Sequence, residues 1–415
     1  MADPKTLVEQ LRLLVESPDA FQADEAQKQE LLKLSRQAAA ALESPFETLQ
    51  RLVYSPLPLV VARICQDRRV FATLAANENV AGVSSATLVT ASGLQPSVLE
   101  PIMDYACVQG MAAEVSQGQY VATKLTHMLL VPVFVDGVTH FHDNCLPGFT
   151  ALHRALTEGD GRSNAFKLGQ NSSEDFYTWM DTHPVQQRAF HNFMKEQFAS
   201  LPTWLDVVSF ATEFAQDSQP DDVVFVDVGG GNGSQCAALK RSLPELRGRV
   251  VLQDHSYVLE KALEVGGMEK MPHDFFTEQP VKGRYESPED LRCSKSAESD
   301  RLGAHVYYFR QIIHNFDDAA CVRILESQVP ALGPDSVIVI DDKVLSDNKP
   351  PAGTPGIEYT AALNIAMKVM FDAQERRETH WRRLLDQAGL RIKDIRKYTR
   401  SDDAVIIAAK KPQLG

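Results

Sequence analysis

Val224-Phe225-Val226-Asp227-Val228-Gly229-Gly230-Gly231-Asn232-Gly233-Ser234 decides the fold. An apolar run of strand type ends in glycines, which let a ligand approach the backbone closely. Gln235–Ser242 then reads as a helix and offers its amino end to the same place. A dinucleotide fingerprint would need G-x-G-x-x-G. Gly229 and Gly231 fit its first two positions, but Ser234 stands where the last glycine belongs. Asp227 is also badly placed beside a pyrophosphate. An acid there suits a ligand with a cationic amino group and a sulfonium.

Downstream, strands alternate with helices. Strand readings fall at Val223–Val228, Arg249–Gln253, His305–Phe309 and Ser336–Ile340, with a late pair near Arg391–Tyr398 and Ala404–Ala409. Helix readings fall at Ala319–Val329, Ile357–Phe371 and Glu378–Ala388. Apolar strands in such alternation imply an α/β fold: a parallel, Rossmann-like sheet covered by helices on both faces. Ligands bind such sheets at the carboxyl ends of the strands.

Three further stretches carry chemistry at those ends. Asp254 closes Val250-Val251-Leu252-Gln253, where an acid holds ribose hydroxyls or caps the next helix; its position favours the ribose. Asp274-Phe275-Phe276, near the third strand, reads equally as an adenine contact or as a capped buried strand. His314 follows Val306-Tyr307-Tyr308-Phe309-Arg310 in a loop where active sites gather. Imidazole is the usual general base near neutral pH.

Residues 1–150 read as an N-terminal region and 151–415 as the catalytic domain. Leu7, Leu11, Leu14 and Val15, then Leu31, Leu34, Ala38 and Leu42, are spaced for two helices of an arm that packs on something. Leu59–Cys65, Ser85–Thr90 and Pro96–Tyr105 read as helices, followed by strands at Met111–Val115 and from Tyr120. That is the layout of a winged helix. Its second helix has no Lys or Arg to meet phosphates, so a structural or dimerising role is expected. Phe176, Tyr177, Trp179 and Phe190, among other aromatics of 140–215, divide between core and a substrate cavity. Gly283–Gly303 is polar and reads as an inserted surface loop.

The bulk numbers exclude several classes. The 415 residues carry a net charge of −13 and no basic run, which opposes nucleic acid binding and leaves a small molecule as the expected partner. The six cysteines form no C-x-x-C pair and no zinc spacing, so reduced thiols, no metal site and a cytoplasmic location are expected. No apolar run reaches membrane-spanning length, and the first residues do not resemble a secretory signal.

Together these motifs resemble the small-molecule O-methyltransferases of plants and fungi, the caffeate and sterigmatocystin type, with the fungal branch most similar. The resemblance implies a class I methyltransferase sheet, S-adenosyl-L-methionine as cofactor and a homodimer through the N-terminal winged-helix domain. It implies that Gly229, Gly230 and Gly231 line the methionine and ribose end of the cofactor. Asp254 would bind the ribose, and Asp274 with Phe275 the adenine. Arg310 matches a position where the family often has a cofactor-contacting Lys. His314 matches the catalytic base, with Asp341 and Glu375 as its flanking acids. The family commonly has Asp then Trp after the His; Asn315 and Phe316 stand there instead. Some fungal relatives keep the cofactor site but catalyse dehydration or pericyclic ring formation without methyl transfer. That is the alternative reading. Lys343 reads as a solvated residue at a strand exit rather than one that enters the pocket to polarise a carbonyl, and Asn364, Met367 and Phe371 share one helix face that could line the pocket.

Overall fold

The computed structural model describes residues 3–17, 22–77, 81–158, 164–197, 202–282, 303–351, 354 and 356–412. The polar loop expected at Gly283–Gly303 lies, apart from its last residue, outside them. The chain forms two compact units: Met1–Ser55 with Pro350–Glu358, and Pro56–Lys349 with Tyr359–Gly415.

In the first unit, helices Pro4–Glu16, Glu25–Leu42 and Pro45–Val53 start at Asp3, Asp24 and Ser44, whose side chains accept amide hydrogens of the first turn. None of the three buries a residue. Leu7, Leu11, Leu32, Leu34 and Leu52 stay exposed.

The second unit begins with helices Leu57–Asp67, Val70–Ala75, Ser85–Ser92 and Pro96–Val108. Ser84 caps the third through the Thr87 amide, and Gly93, at φ 70°, ends it. Three short strands follow the order β1 (Val83–Ser84), β3 (Gln119–Val121), β2 (Ala113–Ser116), all antiparallel. Two residues were too few for β1 to be read from sequence. A helical segment follows in which the aromatics pack on one another. Phe176 meets Phe166 and Phe371 edge-on, at 5.4 and 5.5 Å between centroids.

The large sheet is built from β4 (Val223–Val228), β5 (Arg249–Asp254), β6 (Met268–Pro272), β7 (Val306–Arg310), β8 (Val337–Leu345), β10 (Leu390–Lys397) and β11 (Asp403–Lys410), with β9 (Arg376–Arg377) paired to the end of β8. Its order is β10-β11-β8-β7-β4-β5-β6. β4 to β8 pair in parallel, but β11 is antiparallel to both β8 and β10. The sheet is therefore mixed, not wholly parallel as expected. Only residues 398–402 join β10 to β11, too few for a parallel crossover, so the two close as a hairpin.

Strand side chains alternate between two cores. Val226, Val228, Tyr307, Phe309, Ile338 and Ile340 face one, with Ile313, Cys321 and Trp381. Val224, Tyr308, Val337 and Val339 face the other, with Trp204, Cys236 and Leu239. This alternation decides which acid meets which partner below.

Candidate active site

The glycine loop leaves β4 with Gly229, Gly231 and Gly233 at φ 67, 60 and 79°. These are left-handed conformations that favour glycine. The Gly230 amide donates to the Gln253 carbonyl at 3.1 Å, which ties the loop to β5. A Cβ on Gly230 would stand 2.4 Å from Asp227 Cγ, and one on Gly229 3.0 Å from Ile312 Cδ1 and 3.2 Å from Phe275 Cε1. A Cβ on Gly231 would meet nothing within 4 Å: that side of the loop opens outward.

Asp254 ends β5 at this opening, and its Oδ2 accepts the Gly231 amide at 2.9 Å. Phe275 lies against Gly229, its carbonyl held by Ser327 Oγ at 2.8 Å. Asp274 Oδ1 accepts the Phe276 amide at 3.0 Å, so one of its oxygens closes the local turn. Asp227 does not face outward. It is 1% exposed beneath Gly230, where burial pushes its carboxyl up to about 7, with Cys236 and Arg310 pulling the other way. The outward-facing acid of this region is Asp254, not Asp227. The set fits S-adenosylmethionine: bare backbone for close approach, a strand-end carboxylate suited to ribose hydroxyls, and an aromatic ring beside the loop.

His314 lies in the loop after β7, two residues beyond the Ile312 that packs on Gly229. It is 7% exposed. Its Nδ1 donates to Glu375 Oε1 at 2.8 Å and lies 3.7 Å from Asp342 Oδ1. Glu375 is itself held, its amide donating to Asn364 Oδ1 at 2.8 Å. Burial pulls the imidazole down, but the charges of Glu375 and Asp342 outweigh it and raise it to about 9. Burial raises Asp342, with the His314 charge opposing. Both Asp342 oxygens and Glu375 Oε2 are buried without a hydrogen-bond partner.

Asp341 is not the acid that flanks His314. It accepts the hydroxyls of Tyr308 and Tyr398, each at 2.6 Å, and pairs with Arg310 at 3.7 Å. Along β8, Val337, Val339 and Asp341 point to one face, and Ile338, Ile340 and Asp342 to the other, where Ile313 packs. A one-residue change of register thus separates the Asp that meets the imidazole from the one that does not. Lys343 is not solvated either. It is 3% exposed, with Nζ donating to Asp403 Oδ1 at 2.8 Å.

Of the expected groups, Gly229, Gly230, Gly231, Asp254 and Phe275 come together at the loop, Arg310 pairs with Asp341, and His314 meets Glu375. Sequence reasoning missed Asp342, and it named Asn364 without its bond to Glu375. Strand alternation carried through the register with β7 was the signal for Asp342. Nothing in the sequence distinguished Asn364's bond to Glu375 from a pocket-lining role.

The sheet order, with an antiparallel penultimate strand position and a glycine loop at the end of β4, is that of class I methyltransferases. Residues 298–391 match the family described as the O-methyltransferase domain. O-methyltransferase ucdC of Aspergillus ustus is 30% identical over 383 residues, 91% of this chain and 92% of that protein. Two solved structures, described as a pericyclic reaction enzyme and as LepI in complex with SAM, superpose with a TM-score of 0.78 at 26% identity, over 99% of this chain and 100% of theirs. The chain belongs to the O-methyltransferase family, with S-adenosylmethionine as its cofactor. No helix among the described residues is long and apolar enough to cross a membrane.

Proposed function

We propose that the chain methylates a phenolic or enolic hydroxyl of a small secondary metabolite, with His314 as general base. The contact that carries this reading is the 2.8 Å bond from His314 Nδ1 to Glu375. It leaves Nε2 as the ring nitrogen that can take a proton. S-adenosylmethionine, when bound, supplies a methyl group already activated on a sulfonium. A phenol has a pKa of about 10 and is mostly neutral near neutral pH, so His314 must remove its proton. Glu375 fixes the ring and steadies the imidazolium, and Asp342 adds a second negative charge on the same side. Asp254 holds the ribose hydroxyls, Phe275 and Asp274 the adenine side, and Gly229 to Gly231 the methionine end. Arg310, at the carboxyl end of β7, contacts the cofactor. Residues 1–150 pair two copies of the chain, which supplies a partner for the apolar side chains that the first helices leave exposed, while 151–415 hold the reaction.

The test is transfer of labelled methyl from S-adenosylmethionine across a panel of phenols and aromatic polyketides. Labelled ether product, with one S-adenosylhomocysteine released per turnover, is the expected result. Conversion of a compound without that release would sink the reading.

One observation favours a second reading, a cofactor-dependent pericyclase or dehydratase. An imidazole raised to about 9 is protonated near neutral pH and donates rather than accepts. A relative described as a pericyclic reaction enzyme adds to it. Both readings require that the carboxylates set the proton affinity of His314. In the cofactor-free protein, the His314 ring resonances should titrate near 9. In Glu375→Gln the midpoint should fall, because burial then opposes the charged ring with only Asp342 to offset it. An unchanged midpoint would remove Glu375 from the site.

A further inference from the structure

The residue after Glu375 is among the largest fully buried side chains, and it is charged. Arg376 is 1% exposed. Its Nη1 donates to the Ile313 carbonyl at 3.0 Å and its Nη2 to the Phe316 carbonyl at 2.8 Å. These carbonyls bracket His314 and Asn315. Nε and Nη2 both donate to Asp318 Oδ1 at 3.0 Å, and Asp318 Oδ2 bonds His380 Nε2 at 2.6 Å.

We propose that Arg376 is a positioning residue for His314, clamping the backbone on both sides of it while the neighbouring Glu375 holds the ring. The proposal rests on the reading of His314 as the group that handles the proton. The loop it clamps is short and irregular: a single 3-10 turn, Ile313–Asn315, between β7 and helix Asp318–Gln328. Within the turn the Phe316 amide donates to the Ile313 carbonyl at 3.3 Å, and each carbonyl oxygen has a further lone pair to offer. A planar fork of donors engages the Ile313 and Phe316 carbonyls and a carboxylate at once, which a single ammonium cannot do. β9 is a two-residue strand paired to β8 at Val344 and Leu345, so Glu375 and Arg376 are tied to the strand that carries Asp342. Base, ring partner and backbone clamp are thus referenced to one strand. Burying a guanidinium is costly unless every donor is used. Here two of the partners are carbonyls of the loop that carries His314, so part of the offset depends on the loop holding its shape.

The experiment compares Arg376→Lys with His314→Gln in the full-length protein. Lys keeps the charge but loses the fork. The expected result is a kcat lower by about 10- to 100-fold, since a small misplacement of a catalytic group costs that much. KM for the acceptor and S-adenosylmethionine binding by calorimetry stay within a few fold of wild type. The His314 ring midpoint, read by NMR, moves away from its wild-type value as the ring shifts against Glu375. Rates are normalised to the folded fraction from thermal melts. Wild-type kcat and an unmoved midpoint in folded Arg376→Lys would overturn the proposal, as would a loss that only follows the folded fraction. If Arg376→Lys does not fold, Asp318→Asn, which loosens the same guanidinium, is read in its place against the same outcomes. Should His314→Gln keep full activity, the reading of His314 fails first; should it abolish activity while Arg376→Lys does not, only the clamp fails.

Discussion

His314→Ala lowers kcat for methyl transfer by about 10²- to 10⁴-fold, the range over which a positioned base contributes. S-adenosylmethionine affinity by calorimetry is expected to stay within a few fold. The glycine loop, Asp254 and Phe275 come from the ends of β4, β5 and β6, and none of them bonds His314. The split between rate and cofactor binding is what identifies a base. A loss of less than about tenfold would leave His314 without that role. The variant carries a second consequence. Glu375 and Asp342 stay buried beside the gap, with no imidazolium to offset them. One must take up a proton, or the fold bears an uncompensated buried charge, which costs on the order of 3–5 kcal/mol. Rates therefore need correcting for folded fraction, and His314→Gln, which leaves a neutral donor in the space, is the cleaner comparison. The wild-type protein shows the same coupling through pH. The folded-state value of about 9 stands above the ordinary 6.5. The stability this contributes is complete below the unfolded value and is lost as pH rises through the folded one. The melting midpoint should accordingly decline on the alkaline side of neutrality.

Most of the sheet was legible because its strands are continuous apolar runs. β4 was read to its exact ends for this reason, and the helix Ile357–Phe371 likewise. What escaped was set by contacts distant in sequence. The reversal of β11 came from the brevity of 398–402 rather than from any residue type. At the site, Asp341-Asp342 offered two acids of equal chemistry. A family pattern cannot choose between them, but the pleat can, because Tyr308 lies on one face of the sheet and Ile313 on the other. Arg376 was the least visible of all. Its partners are backbone carbonyls of Ile313 and Phe316, and carbonyls leave no mark in a sequence. Asp227 was read by its charge and its place in the motif, yet Gly230 lies over it.

Gly230 gives the second large effect. Gly230→Ala places a methyl group 2.4 Å from Asp227 Cγ and 2.6 Å from Leu252 Cδ1. Neither neighbour can yield cheaply. Leu252 is fully buried in the sheet core, and Asp227 is buried against Cys236, whose thiol lies 3.6 Å from its Oδ2. The loop must lift instead, which breaks the Gly230 amide bond to the Gln253 carbonyl. Overpacking of this kind costs about 1–3 kcal/mol, so the melting midpoint drops by several degrees. Lifting the loop also moves the Gly231 amide away from Asp254, so the cofactor loses a shaped surface and a positioned carboxylate together. Affinity for S-adenosylmethionine should fall by at least about tenfold, equivalent to losing one good hydrogen bond to a charged group. Gly231→Ala separates the two effects. Its new methyl meets no protein atom within 4 Å, although its φ of 60° adds strain. It should disturb the core less than Gly230→Ala while still projecting into the space where the cofactor binds. Equal melting midpoints for the two variants would contradict the burial of Asp227 beneath Gly230. Unchanged cofactor affinity in both would remove the glycine loop from the binding site.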